Sequence, residues 1–389
     1  MTQKNDLQVK DKNKLAHVEK LCSIENPYQD FSQSTPEFLL AMKQIVKWHT
    51  EKSPFYKRLV ENSNFQVDTI KSENDLVNIP HVWAHFFKTH ELMSVSPDEV
   101  YLHLTSSGTT GQKSQIFFDE WTIKSAQRMV DWIFDFYGWI TPQQKVNYIL
   151  FSYETEPQSK LGTAYTDNYL CKYAPVNSVF TALRLTGNGY HEFDVFGTID
   201  KFIEFAKAGL PVRIFGFPAF FYFALDRMKK LGIEKVKLHP DSLVFLGGGW
   251  KGHADKQIEK RDLYQLAHEM LGLVDERIRD GFGSVEHCIP YIECKNHEFH
   301  VPVWSRVFIR DIETLKPLGY DQPGFLSFVS PYITSVPGHS VIMGDMAVLH
   351  SGENCNCGLK TPYFKVLGRA GLSKNKSCAI AASELLKGK

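Results

Sequence analysis

Residues 105–114 read TSSGTTGQKS, dense in hydroxyl side chains, with two glycines and a lysine, directly after the strand-like VYLHL. Small residues let successive backbone N–H groups and hydroxyls approach an anion closely, so such a segment can hold phosphate. It is not a P-loop. That motif needs glycine, four residues, then Gly-Lys-Ser/Thr, whereas only two residues separate Gly108 from Gly111, and Gln112 precedes Lys113. Taken alone, the segment reads first as a polar surface turn, and only other parts of a nucleotide site in the right order would change that. Other polar residues stand in glycine-rich or apolar settings further along. DGFGSVE (280–286) ends on Glu286, MGDMAVL (343–349) sets Asp345 between two apolar runs, VLGRAG (366–371) presents Arg369, and FLGGGW (245–250) runs into three glycines. Singly, these read as a surface carboxylate, a hairpin turn, a surface ion pair and a strand end.

A second group of residues could bind metal. ECKNHEFH (293–300) and CNCG (355–358) supply Cys294, His300, Cys355 and Cys357, a Cys₃His set that fits tetrahedral, structural zinc. The spacing is not that of a standard finger, and His297 and Cys288 compete as ligands. The other reading is a set of reduced thiols near one another.

These residues must be positioned by regular elements. Ser34-Thr35-Pro36-Glu37 reads as a helix start, with proline at an early helical position and Phe38, Leu39, Met42, Ile45 and Val46 following at helical spacing. Residues 123–139 predict an amphipathic helix with Ile123, Ala126, Val130, Ile133 and Phe134 on one face, and 254–273 another. NYILFS (147–152), VRIFGF (212–217) and SLVFLGGGW (242–250) read as buried strands. After about residue 280 short strand-like runs succeed one another: HVPVW, RVFIRDI, GFLSFVS, SVIMGDMAVL and YFKVLG, with ETLKPLG and DQPG as turns. The chain therefore predicts an α/β body followed by a β-rich part.

The bulk numbers bound the class of protein. With 389 residues, 43% apolar and 23% charged, an ordinary globular fold of more than one domain is expected. Zero net charge gives no footprint of a nucleic-acid partner. The polar N-terminus predicts no secretory signal, and the greasiest run, IFGFPAFFYFAL (214–225), is too short to span a bilayer. Seven cysteines with no export signal predict free thiols or metal ligands in a cytoplasmic protein.

Together and in this order, the segments resemble the adenylate-forming superfamily, which includes acyl-CoA ligases and luciferases. Within it, SSGTTG-x-KS at 106–114, GGGWK at 247–251, HVP-x-W at 300–304, Asp311 with TLKP at 314–317, and Cys378 near the C-terminus resemble the LuxE-type acyl-protein synthetases. The resemblance covers residues 80–380 or so. It implies an α/β fold: an acyl-CoA-synthetase-like N-terminal domain with a β-rich subdomain, lacking most of the usual C-terminal lid. The expected organisation is a helical extension (1–75), an α/β nucleotide- and acyl-binding body (76–280), a β-rich subdomain completing the ATP site (281–370) and a tail with the nucleophile (371–389).

By the same resemblance, Thr105, Ser106, Ser107, Gly108, Thr109, Thr110 and Gly111, with Lys113, would clamp ATP phosphates, and Glu286 would hold Mg²⁺. Gly247, Gly248 and Gly249 would wall the adenine, while Asp345 and Arg369 would hold the ribose. Cys378, with Lys374 and Lys376 near it to favour the thiolate, would accept the acyl group of a carboxylic, expectedly fatty, acid. It would then pass the group to an acyl-CoA-reductase-like protein partner. The missing lid leaves the source of the catalytic cation open, with Lys374 or Lys376 as candidates. An apolar acyl pocket is expected near FGFPAFFYFAL. The CNCG segment departs from the LuxE pattern towards phenylacetate-CoA-ligase-like enzymes, which keeps an acyl- or aryl-CoA ligase as an alternative. A non-catalytic adenylate-binding scaffold is a third reading.

Overall fold

The computed structural model describes residues 7–105, 114–154, 162–187, 190–250 and 252–370. Contacts divide the chain into two compact units. One gathers the described residues of Met1–Gly108, Gln112–Phe136 and Ser284–Lys389; the other those of Tyr137–Gly283. The opening of the chain thus groups with the β-rich end, where the sequence suggested four consecutive segments.

The discontinuous unit is built on an antiparallel sheet. Tyr363–Arg369, Ser340–His350, Pro323–Val329 and Arg306–Arg310 lie side by side, with Phe299–His300 and Pro317–Leu318 at the margins. Val82–Trp83 adds in parallel to Ser340–His350, placing Val82 opposite Val341. Residues 301–304 of HVPVW are not strand; only Phe299–His300 pairs. A two-stranded hairpin joins Leu102–Thr105 to Gln115–Phe118, with Thr105 opposite Gln115.

Two helices of this unit begin earlier than periodicity suggests, because side chains cap them. Phe31–Lys52 starts after Asp30, whose carboxylate accepts the Ser32 N–H at 2.9 Å. Pro36 therefore sits inside the helix, near enough to its start to forfeit only one backbone bond. What fixes this first turn is tertiary: the Arg306 guanidinium lies 3.7 Å from the Phe31 ring centre and 4.2 Å from that of Phe38. Glu120–Phe136 starts at Asp119, which accepts the Thr122 N–H at 2.9 Å and the Thr334 hydroxyl at 2.6 Å.

The second unit is a twisted layer with five parallel strands in the order Ile278–Phe282, Leu243–Gly247, Val212–Gly216, Val146–Tyr153 and Val176–Leu185, and His191–Phe193 antiparallel at the edge. Val146 through Ser152 are all buried, as expected of a strand covered on both faces. Helices Val195–Ala208, Pro218–Lys230 and Lys260–Leu271 supply Phe202, Phe221, Leu225 and Ala267 to the core around Phe151 and Ile214. Much of FGFPAFFYFAL is therefore core. Phe220, Tyr222 and Phe223 stay partly buried, and the rings of Phe220 and Phe223 meet His253 edge-on at 5.6 and 5.0 Å. No helix among the described residues is long and apolar enough to cross a membrane.

Candidate functional site

The sheet of the discontinuous unit brings together residues that the sequence only suggested. Asp345 and Arg369 lie directly opposite one another on the neighbouring strands Ser340–His350 and Tyr363–Arg369. Arg369 Nε is 3.5 Å from Asp345 Oδ1. Burial pushes the Asp345 carboxyl above its ordinary range, while Arg369 and, more weakly, Lys88 pull it back towards the ionised form. Arg369 keeps about half of its side chain in solvent (53%), so it can swing onto a ligand. Asp345 is thus a mostly buried acceptor with a half-exposed cation beside it.

Glu286 is almost wholly buried and accepts the Ser114 hydroxyl at 2.5 Å. Ser114 stands just before the Gln115–Phe118 strand, so this bond ties the end of the hydroxyl-rich segment to the DGFGSVE turn. The turn is seated closely. A methyl group at Gly338 would come within 2.8 Å of the Glu286 carbonyl oxygen, and the Ser284 hydroxyl reaches the Met343 sulfur at 4.0 Å. Glu286 and Asp345 are therefore carried by neighbouring pieces of one framework. Thr105 ends the first hairpin strand. Ser106, Ser107, Gly108, Thr109, Thr110, Gly111 and Lys113 lie outside the described residues, as do Lys251, Lys374, Lys376 and Cys378.

In the second unit, Gly247 closes its strand, and Gly248 and Gly249 adopt φ of 77° and 69°. Two successive left-handed residues are cheap only as glycine. They turn the chain just past the carboxyl end of a parallel strand, the edge at which open α/β sheets bind ligands.

The thiolate group converges. Ligand atoms of Cys294, His300, Cys355 and Cys357 all lie within 4.8 Å of one another. Cys294 Sγ is 3.5 Å from Cys355 Sγ, and Cys357 Sγ is 3.3 Å from His300 Nε2. His300 Nδ1 donates to the Thr361 carbonyl at 2.7 Å, which leaves the Nε2 lone pair facing the sulfurs. Backbone N–H groups of Asn296 and Leu359 reach Cys294 and Cys357 sulfurs at 3.3 and 3.4 Å. Burial and neighbouring thiols push the Cys355 thiol up. Asn356 takes φ 58° between the two cysteines of CNCG, folding both sulfurs inward. The competing candidates turn away: His297 Nδ1 meets Glu293 at 3.1 Å, and Cys288 Sγ donates to the Val285 carbonyl at 3.1 Å.

Sequence reasoning passed over two participants. Ser114 was visible only as the end of a motif, and nothing local marks it as the partner of a carboxylate 172 positions away. Lys88, on the short helix Phe86–Thr89, acts on Asp345 only because Val82–Trp83 joins the sheet beside it.

A parallel α/β layer and an antiparallel sheet, with an opposed Asp–Arg pair on that sheet and a buried glutamate bonded to Ser114, make up the architecture of an adenylate-forming ligase. Solved structures show the same fold. A 2-hydroxyisobutyryl-CoA ligase in an open conformation, with its acyl-AMP and CoA, superposes with a TM-score of 0.64 at 14% identity, covering 90% of this chain and 79% of that one. The same ligase in the postadenylation state gives 0.64 over 89% and 71%. The chain belongs to the acyl-protein synthetase, LuxE family, whose match spans residues 22–387. Two long-chain-fatty-acid–luciferin-component ligases are distant relatives. That of Vibrio harveyi is 25% identical over 345 residues, 88% of this chain and 86% of the relative. That of Aliivibrio fischeri is 24% identical over 343 residues, 85% of each.

Proposed function

We propose that the protein uses ATP to convert a fatty acid into an acyl-adenylate, takes the acyl group onto Cys378 as a thioester, and passes it to a reductase-like protein partner. The observation that carries this reading is the opposed Asp345–Arg369 pair on one sheet with the Glu286 turn. The substrate class follows the names of the two relatives, which act on long-chain fatty acids.

The first half-reaction is electrostatically difficult, because a carboxylate must approach a polyanion. One carboxylate oxygen of the acid attacks the α-phosphorus of ATP, and pyrophosphate leaves with the electron pair of the broken P–O bond. Residues 105–111 would hold the β- and γ-phosphates through N–H and hydroxyl donors. Asp345 would accept hydrogen bonds from the ribose hydroxyls, with Arg369 bracing the same sugar. Gly247, Gly248 and Gly249 would let the flat base lie against backbone. A buried carboxylate beside a hydroxyl suits Mg²⁺, which bonds one or two carboxylates and otherwise keeps waters and phosphate oxygens. Glu286 would hold it, with Ser114 fixing the carboxylate, and the ion would neutralise charge on the leaving pyrophosphate. In the second half-reaction the Cys378 thiolate attacks the acyl carbon, and AMP departs.

The Cys294, His300, Cys355 and Cys357 set fits zinc in donor type and number, with all four positions filled by protein. Such a site is structural. It would pin Gly352–Cys355 to Phe299–His300, which pairs with the same strand that carries Arg369.

ATP–pyrophosphate exchange with a panel of fatty and aromatic acids tests the first step, and absence of exchange with every acid sinks the reading. Labelled fatty acid with ATP should mark the protein in a hydroxylamine-sensitive bond. Retention of that label in Cys378→Ser places the nucleophile elsewhere, and product that forms only with CoA makes the protein an acyl-CoA ligase instead. Asp345→Asn should raise KM for ATP by at least about tenfold, a loss of one hydrogen bond to a charged group.

A further inference from the structure

At the amino ends of the parallel strands lies a cavity of about 170 Å³, on the edge opposite the Gly247–Gly249 turn. Its wall includes Arg213, the second residue of Val212–Gly216, and Arg277, just before Ile278–Phe282. Trp139, Val146 and Leu243 supply apolar surface.

Arg213 is anomalous. Its side chain is 4% exposed, yet among the described residues it faces no carboxylate. Nη2 donates to the Thr141 hydroxyl at 2.8 Å, and Nη1 has no acceptor at all. Its charged neighbour is a second cation, Arg277, which together with burial disfavours the guanidinium charge. The one carboxylate on the wall, Asp241, is already engaged: Oδ1 faces Arg277 Nη2 at 3.3 Å and Oδ2 accepts from Gln144 Nε2 at 3.3 Å. The two guanidinium groups on this wall thus have one carboxylate between them, and it serves Arg277 alone. A buried, uncompensated charge is costly, and a guanidinium stays protonated at any working pH. The cavity is several water volumes large, at roughly 30 Å³ per water. An oxyanion placed between the two arginines would complete Nη1 and balance the charge, and paired N–H donors match tetrahedral oxyanions.

We propose that this cavity binds a small phosphate-class oxyanion, inorganic phosphate or pyrophosphate, at a site separate from the nucleotide-holding residues. The site is independent of the proposed acid substrate. Because adenylation releases pyrophosphate, occupancy here would report product to the sheet on which the glycine turn stands.

The test is calorimetric titration of the full chain with inorganic phosphate and, separately, pyrophosphate, in chloride buffer at constant ionic strength. The wild type should bind at least one of them below about 20 mM, with a matching rise in thermal midpoint. Arg277→Gln should weaken that binding by at least about tenfold, and Arg213→Met should abolish it. Arg213 lies in the core of a strand, so Arg277→Gln, on the half-exposed wall, decides the matter if Arg213→Met does not fold. Absence of binding in the wild type overturns the proposal. So does binding of equal strength in both variants, which would put the anion on the hydroxyl-rich segment. Adenylation activity does not enter the readout, so failure here leaves the ligase reading untouched, and the reverse also holds.

Discussion

Acid should loosen the discontinuous unit through one pair of histidines. His49, on Phe31–Lys52, is fully buried and stacks on His339 with ring centres 4.8 Å apart and planes 11° from parallel. Its Nε2 faces the Ile333 carbonyl at 2.9 Å and must carry a proton; its Nδ1 faces the Ser94 hydroxyl at 2.7 Å. His339 is also fully buried, neither ring nitrogen has a hydrogen-bond partner, and Tyr56 closes over it edge-on at 4.6 Å. Among the described residues no carboxylate faces either ring, and the charge that would act on His339 is that of His49. Burial lowers the His49 pKa from 6.5 to about 3, and that of His339 well below its ordinary value. Across pH 6.5 to 3 the unfolded chain therefore binds more protons than the folded one. Stability is complete above pH 6.5 and falls as pH drops below it. Each such histidine costs about 1.3 kcal/mol between pH 7.5 and 5.5, so the pair costs roughly 2.5 kcal/mol. Urea unfolding, followed by tryptophan fluorescence at fixed ionic strength, measures this. Other buried histidines add to the slope of the wild type, so the pair is isolated by difference. His339→Phe, which preserves the stack, should remove about half of the 2.5 kcal/mol, and His49→Gln with His339→Phe nearly all of it. An unchanged pH slope in the double variant refutes the reasoning.

Three further outcomes follow from the packing. Gly338→Ala forces a methyl within 2.8 Å of the Glu286 carbonyl oxygen; it should cut kcat/KM for pyrophosphate exchange by at least about tenfold while circular dichroism stays unchanged, and normal exchange would show that the turn tolerates the shift. Arg306→Lys removes a buried guanidinium that donates to Glu73 at 2.5 Å and to the Ser305 carbonyl at 2.8 Å; a loss of about 3 kcal/mol in urea unfolding is expected, and a loss under about 1 kcal/mol would mean that the ion pair is dispensable. Purified protein should carry close to one zinc per chain by elemental analysis, lost together with thermal stability in Cys355→Ser; full metal content in that variant would remove the cluster as the ligand set.

The elements were more legible than their meetings. Buried strands announced themselves by unbroken apolar runs, and GGG after LVFL marked a strand end because only glycine tolerates the turn that follows. The thiolate cluster was readable as four residues of the right kind, although His297 and Cys288 could be set aside only once backbone direction was known. What could not be read was register. Asp345 and Arg369 oppose one another through a bulge between Met346 and Ala347, and a shift of one residue would have sent the two side chains to opposite faces. The early start of Phe31–Lys52 has a similar origin, since the arginine that stabilises its first turn is 270 or more positions distant.

The parallel pairing of Val82–Trp83 with Ser340–His350 bears on the order in which the molecule is made. A ribosome releases the first 136 residues long before their sheet partners exist. Residues 137–283 emerge next and already contain all five parallel strands of their layer. During synthesis the parts of Phe31–Lys52 and Glu120–Phe136 that meet Arg306, Tyr332 and Thr334 must therefore wait for those partners while residues 137–283 fold first. Ribosome-arrested chains ending near residue 320, with the parallel layer outside the exit tunnel, should yield a protease-resistant core from 137–283 and a digested N-terminal segment. An N-terminal segment already protected at that length would mean that it finds temporary cover, from a chaperone or from itself.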